Sequence, residues 1–127
     1  MARNTLFYKL AEPVFLSRNF QRLRDIVHHD ASIADHVVSV SYHAFIIAHA
    51  LGRRTHLKEL VRGALLHDYF FYDWRTARPR NGKLHGFAHP QEALENARED
   101  FGPLTPIEED CISRHMFPPY TDPAHLL

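Results

Sequence analysis

The residues best suited to chemistry in this chain are His36, His67 and Asp68. Leu57, Leu60, Val61, Ala64 and Leu65 recur at steps of three and four, which predicts the buried stripe of a helix. Asp68 lies four residues after Ala64 and three after Leu65, so it prolongs that stripe. A carboxylate on a buried face is costly unless it is paired or holds a metal. Neighbouring residues on a helix point about 100° apart, so His67 and Asp68 can share one ion only at a helix end or on a local distortion. His36 stands at the start of the preceding apolar helix, on the side shared with Val40 and His43. If the two helices pack antiparallel, the start of one faces the end of the other, and His36 meets His67 and Asp68. Two imidazoles and a carboxylate suit Mn, Fe, Co, Ni or Zn better than Ca. The competing expectation is a helix-end ion pair without a metal.

The elements that must position these groups are helical. Phe20, Leu23, Ile26 and Val27 predict a helix over 18–29. A break follows over 30–35, with Ser32 and Asp35 as N-cap candidates. Val37, Val40, Ala44, Ile47, Ala48 and Leu51 predict an amphipathic helix over 36–51, ended by Gly52. Thr55 is placed to cap the next helix, which runs into His67 and Asp68. Pro79, Asn81-Gly82 and Gly86 then mark a loop of about 20 residues, a length that is usually functional or mobile in a compact domain. Pro90 is read as the first residue of a helix carrying Ala93, Leu94, Ala97 and Phe101, stopped by Gly102-Pro103. Thr105-Pro106-Ile107-Glu108 reads as a capping box with proline at N1. It opens a last helix with Ile107, Cys111 and Ile112 inward, which reaches His115 and ends at Pro118-Pro119.

Composition sets the wider frame. The 127 residues fit one domain, and 45% hydrophobic with 24% charged residues is the balance of a folded globular chain. Fifteen basic residues balance 15 acidic ones, so net charge gives no reason to expect nucleic acid or an anionic membrane as partner. The single cysteine, Cys111, cannot form an internal disulfide. No run approaches the ~18 apolar residues of a membrane span, and the first 15 residues lack a signal-peptide pattern, so the expected compartment is the cytoplasm. Histidine is abundant: 11 residues spread from His28 to His125. Most are expected to be ordinary surface or core residues. His43 and His49, inside a helix, and the pair His28-His29 are read that way.

His36-Val-Val-Ser-Val, Ala48-His-Ala-Leu-Gly52 and Gly63-Ala-Leu-Leu-His67-Asp68 together resemble the HD-domain superfamily of metal-dependent phosphohydrolases. Its pattern is a histidine, a distant His-Asp pair and a final aspartate. His36 and His67 stand 31 positions apart, a spacing typical of that pattern. The resemblance covers roughly residues 30 to 118. It is nearest to small bacterial members, through Tyr72-Asp73-Trp74, His89-Pro90 and Ala93-Leu94-Glu95-Asn96-Ala97. It implies an all-α, single-domain helical bundle over 1–127, with one or two divalent metal ions. His36, His67 and Asp68 would hold the first ion, and His89 and His115 a second.

Two departures shape the expectation. The lysine that often follows the His-Asp pair is replaced here by Tyr69-Phe70-Phe71, leaving Asp73 or a loop arginine to stand in. The family's final aspartate belongs on a helix beyond His115, and the chain ends at Leu127. The expectation is therefore one of three: a C-terminally truncated domain, a last ligand supplied by Asp122 or a partner chain, or an incomplete site. The resemblance implies a phosphohydrolase acting on a small phosphate ester or nucleotide, with metal-activated water as nucleophile and Asp68 and Asp73 as catalytic carboxylates. Arg75, Arg78 and Lys83, in the loop after Asp68, are read either as phosphate contacts, arginine forks being suited to it, or as part of a solvated loop. An oligomer is compatible with all of this. The alternatives are an HD-type di-iron oxygenase and a non-catalytic binding module.

Overall fold

The computed structural model describes residues 2–28, 31–71 and 85–113. It is an all-α domain, and the described residues form six helices and one minimal antiparallel ladder. The helices are α1 (Arg3–Phe15), α2 (Arg18–Arg22), α3 (Ile33–Ala50), α4 (Leu57–Leu66), α5 (His85–Phe101) and α6 (Pro106–Ser113). A 3-10 turn over Leu23–Asp25 follows α2, and strands β1 (Val27–His28) and β2 (Ala31–Ser32) pair in front of α3. Among the described residues no helix is long and apolar enough to cross a membrane.

Helices α3 and α4 form the central pair. The hairpin between them is set by a complete Schellman close: Gly52 adopts φ 72°, its N–H reaches the His49 carbonyl at 3.1 Å, and the Arg53 N–H reaches the Ala48 carbonyl at 2.9 Å. Farther along, buried Ser41 donates to the Val61 carbonyl at 3.0 Å, which fixes the register of the two helices. His36 lies beside Asp68, Ser41 beside Val61, and Leu51 next to the turn leading into Leu57. The pair is therefore antiparallel, and the start of α3 meets the end of α4.

Phe7, Ala11 and Val14 of α1 enter the core at helical spacing and cover α3 and α4 from one side. The opening residues, weighed in the sequence only as a leader, are therefore a core helix. Helix α6 covers α4 from another side. There Gly63 makes room for the approach, since a Cβ on it would sit 2.6 Å from the Cβ of Cys111. The Thr105–Glu108 capping box forms as expected: the Thr105 N–H donates to Glu108 Oε1 at 3.0 Å and the Glu108 N–H to Thr105 Oγ1 at 3.2 Å. The other Glu108 oxygen accepts from Arg62 Nε at 2.6 Å, so one buried carboxylate both caps α6 and ties it to α4.

Four sequence expectations need correction. The helix expected over 18–29 stops at Arg22. Its apolar residues continue into a 3-10 turn and then β1, because Ser32 must be extended (φ −67°, ψ 155°) to accept the Asp35 N–H and cap α3. Thr55 does not cap α4; His56 holds that position, and its ring lies 3.1 Å from Glu59 Oε1. Pro90 is not at N1: it lies inside α5, which begins at His85. Lastly, α3 is apolar on two faces. Val37, Phe45 and Ala48 are buried with Ile33, Ala34 and Ser41, while Val40, Ile47 and Leu51 face outward.

Candidate metal centre

The centre is built at two helix ends. Ser32 caps α3 and starts it early enough to set His36 in the second turn. At the other end α4 tightens as it finishes. The His67 N–H turns to the Ala64 carbonyl (3.4 Å), the Tyr69 N–H to the Leu66 carbonyl (3.2 Å) and the Phe70 N–H to the Asp68 carbonyl (2.9 Å). These short-range bonds replace α-helical ones and twist two adjacent side chains toward one point.

Three groups converge there. His36 Nε2 lies 3.2 Å from Asp68 Oδ2, and His67 Nε2 lies 3.3 Å from the same oxygen. The two imidazole rings are 5.3 Å apart between centroids. One ligand atom from each residue falls within 4.8 Å of the others. Ligands bound ~2.1 Å from an ion are ~3.0 Å apart at right angles and ~3.4 Å apart at tetrahedral angles, so both measured separations match edges of a coordination shell. His67 and Asp68 are buried, whereas the His36 side chain is 36% exposed and opens the site to solvent on one side.

The protonation pattern favours a cation at this point. His67 Nδ1 lies 2.5 Å from the Ala64 carbonyl oxygen, a pure acceptor, so that nitrogen carries the proton. In the neutral ring the Nε2 lone pair then points at a carboxylate oxygen. Two acceptors facing each other at this distance call for a positive charge between them, a proton or a metal. Burial disfavours protonating His67, but Asp68 and the Ala64 carbonyl outweigh it and hold the ring's pKa above its ordinary value. A backbone carbonyl that fixes the tautomer of a ligating histidine is the usual outer-shell support of metal sites.

Further contacts hold the segment after the site. Buried Asn96 of α5 donates to the Tyr69 carbonyl at 3.1 Å, and the Tyr69 hydroxyl donates to Asp100 Oδ2 at 2.5 Å. Burial, with the Asp100 carboxylate beside it, keeps that phenol protonated. Sequence reading had assigned Ser41, Asn96 and Tyr69 no specific contact. For Ser41 a signal was present: a hydroxyl on the apolar face of α3 requires a partner.

The structure thus brings together His36, His67 and Asp68. His89 lies within α5, but its side chain is outside the described residues, as are His115, Asp122, Asp73, Arg75, Arg78 and Lys83. The sequence expectations for a second ion, a final aspartate and phosphate contacts fall on those positions. The chain matches no family model, no curated protein and no solved structure.

Proposed function

We propose that the protein is a metal-dependent phosphohydrolase of the HD type, acting on a small phosphate ester with His36, His67 and Asp68 as metal ligands. One observation carries this reading: a buried imidazole, its Nδ1 held by a backbone carbonyl, and a second imidazole converge on one oxygen of a buried aspartate. Three protein ligands with an open side are the pattern of a catalytic rather than a structural metal site. A bound divalent ion would supply hydroxide near neutral pH and neutralise phosphoryl oxygens.

The chain's own groups prepare that chemistry. Ala64 and Asp68 hold His67 from both sides, so its ring needs no reorganisation when a cation arrives. Asp68 offsets part of the ion's charge. Tyr69 and Phe70, directly after Asp68, are buried in the core. The partly exposed His36 marks the side from which a substrate enters.

The decisive experiment is elemental analysis of protein purified without chelator, with hydrolysis of p-nitrophenyl phosphate measured after loading with Mn, Co or Ni. One or two ions per chain, lost in His67→Ala together with hydrolysis, is the expected result. Unchanged metal content in His67→Ala would sink the assignment. Two histidines and one carboxylate are also the donor set of non-haem iron oxygenases, which keeps a second reading in play. Stoichiometric iron, oxygen-dependent absorbance and no phosphatase activity would select it.

A further inference from the structure

Helix α3 carries an apolar face turned away from the core. Val40, Ile47 and Leu51 are 38%, 54% and 59% exposed. Scattered apolar side chains are ordinary on a protein surface, but these are aligned. Val40, His43, Ile47 and Ala50 are all exposed and follow one another at steps of three and four, the spacing of a coiled-coil seam. From His36 to Leu51 the sequence holds no lysine, arginine, aspartate or glutamate. The outer face of a surface helix normally carries such groups, so this one is fitted to be covered.

Charge stands only at the two ends of the face, with opposite sign. Asp35 lies just before it, in the first turn of α3, and Arg53 and Arg54 lie just after it. All three are exposed. Along one axis the order is therefore acidic, neutral, basic. That order is self-complementary when a second copy of the chain is laid antiparallel. Setting Val40 against Ile47 puts a two-fold axis between His43 and Ala44 and brings Asp35 to the end of the other copy's α3, beside Arg53 and Arg54. Two-fold symmetry repeats the contact, so both ends carry an opposite-charge pair. A parallel copy would instead set Asp35 against Asp35 and the arginines against arginines.

We propose that the outer face of α3 is the interface of a two-fold dimer of this chain. The two α3 helices pack antiparallel through Val40 and Ile47, and Asp35 of each copy pairs with Arg53 and Arg54 of the other. The second copy then lies beside His36, at the rim of the metal centre. From His36 to Leu51 the face is ~24 Å long at ~1.5 Å per residue and one helix wide, so it buries an area at the small end of specific interfaces. A dissociation constant on the order of tens of micromolar is expected from an interface of that size. The inference rests on the surface pattern and is independent of the hydrolase reading.

The test is sedimentation equilibrium of the full chain from about 1 to about 500 μM. The mass should pass from that of one chain to that of two. Ile47→Lys should weaken association about tenfold or more, because it buries an ammonium group against Val40 of the other copy. Its native side chain is more than half exposed, so folding is spared. Two charge variants probe the register: Asp35→Lys, and Arg53→Glu combined with Arg54→Glu. Each alone sets like charges at both ends and should weaken the dimer. An equimolar mixture of the two restores opposite charges at both ends and should associate as well as wild type. A monomer at every concentration would overturn the proposal; protection of Ile47→Cys from a maleimide in that monomer would give the face to another segment of the same chain. A dimer unmoved by Ile47→Lys would overturn it equally. If the mixture regains nothing that the separate variants lose, the antiparallel pairing is wrong.

Discussion

Removing one ligand should erase most of the stability that a metal confers, and the structure allows the size of that loss to be worked out. A ligand present at a hundred times its dissociation constant stabilises a folded protein by ~2.7 kcal/mol. Unfolding entropy near the midpoint is ~2.1 cal/mol/K per residue, or ~0.27 kcal/mol/K for 127 residues. The wild-type melting temperature should therefore rise by ~10 °C on saturation with a divalent transition metal and fall back with chelator. Losing even an outer-shell partner weakens metal affinity ten- to hundredfold, and losing a ligand does at least as much. At an unchanged metal concentration a hundredfold loss leaves ~0.4 kcal/mol, a shift below ~2 °C. The comparison is made within each variant, with and without metal, for His36→Ala, His67→Ala and Asp68→Asn, by circular dichroism melts. This removes the direct effect of each substitution on the apo fold. A shift near 10 °C retained in all three would show that the metal binds elsewhere and would refute the argument from converging ligand atoms.

Three other predictions test the frame that holds the site. Glu108→Ala should destabilise the domain by ~2 kcal/mol or more in urea, because it strips the cap from α6 and leaves the half-buried Arg62 guanidinium without its carboxylate; Glu108→Gln should lose distinctly less. Burial pushes the Cys111 thiol up to about 11, so alkylation by iodoacetamide at pH 8 should run roughly a hundredfold slower in the native protein than in urea. The folded state holds that proton more tightly than the unfolded one, so this thiol's contribution to stability should decline between about pH 9 and 11. On α3, Phe45→Ala should cost ~3–5 kcal/mol whereas Ile47→Lys should stay within ~0.5 kcal/mol; similar losses at both would contradict the assignment of the inner face.

What the sequence revealed, and what it concealed, follows from how local each signal is. The capping box at Thr105 and the Gly52 stop are settled within four residues, and both appear as read. The stripe ending in Asp68 was legible because Lys58, Glu59 and Arg62 interrupt the apolar positions of α4, although every residue from Gly63 to Phe70 is buried. Helix α3 lacked such interruptions: with no charged residue from His36 to Leu51, Val40, Ile47 and Leu51 look as inward as Val37 and Phe45. Only the Ser41–Val61 bond and the packing of α1 and α4 decide which face is covered, and both are tertiary. Pro90 misled for a related reason. A proline suits N1, yet here it stands inside α5, and nothing local to it marks the helical residues from His85 that precede it.

The site shows the same division between local and long-range causes. Local sequence places a histidine and an aspartate side by side where a helix must end, and the end itself supplies the twist that lets both point to one place. It cannot say which tautomer His67 takes, because the Ala64 carbonyl is free to accept only once the last turn of α4 has tightened. Nor can it bring His36 within 3.2 Å of Asp68, since that distance depends on the register of α3 against α4. Each of these dependences is a hydrogen bond that can be removed singly. Ser41→Ala should therefore loosen the register and weaken metal binding without touching a ligand, by less than the loss of His36 itself. If metal affinity in Ser41→Ala equals wild type, helix register does not govern the distance between His36 and Asp68. The convergence would then rest on the Ser32 cap and the tightened end of α4 alone.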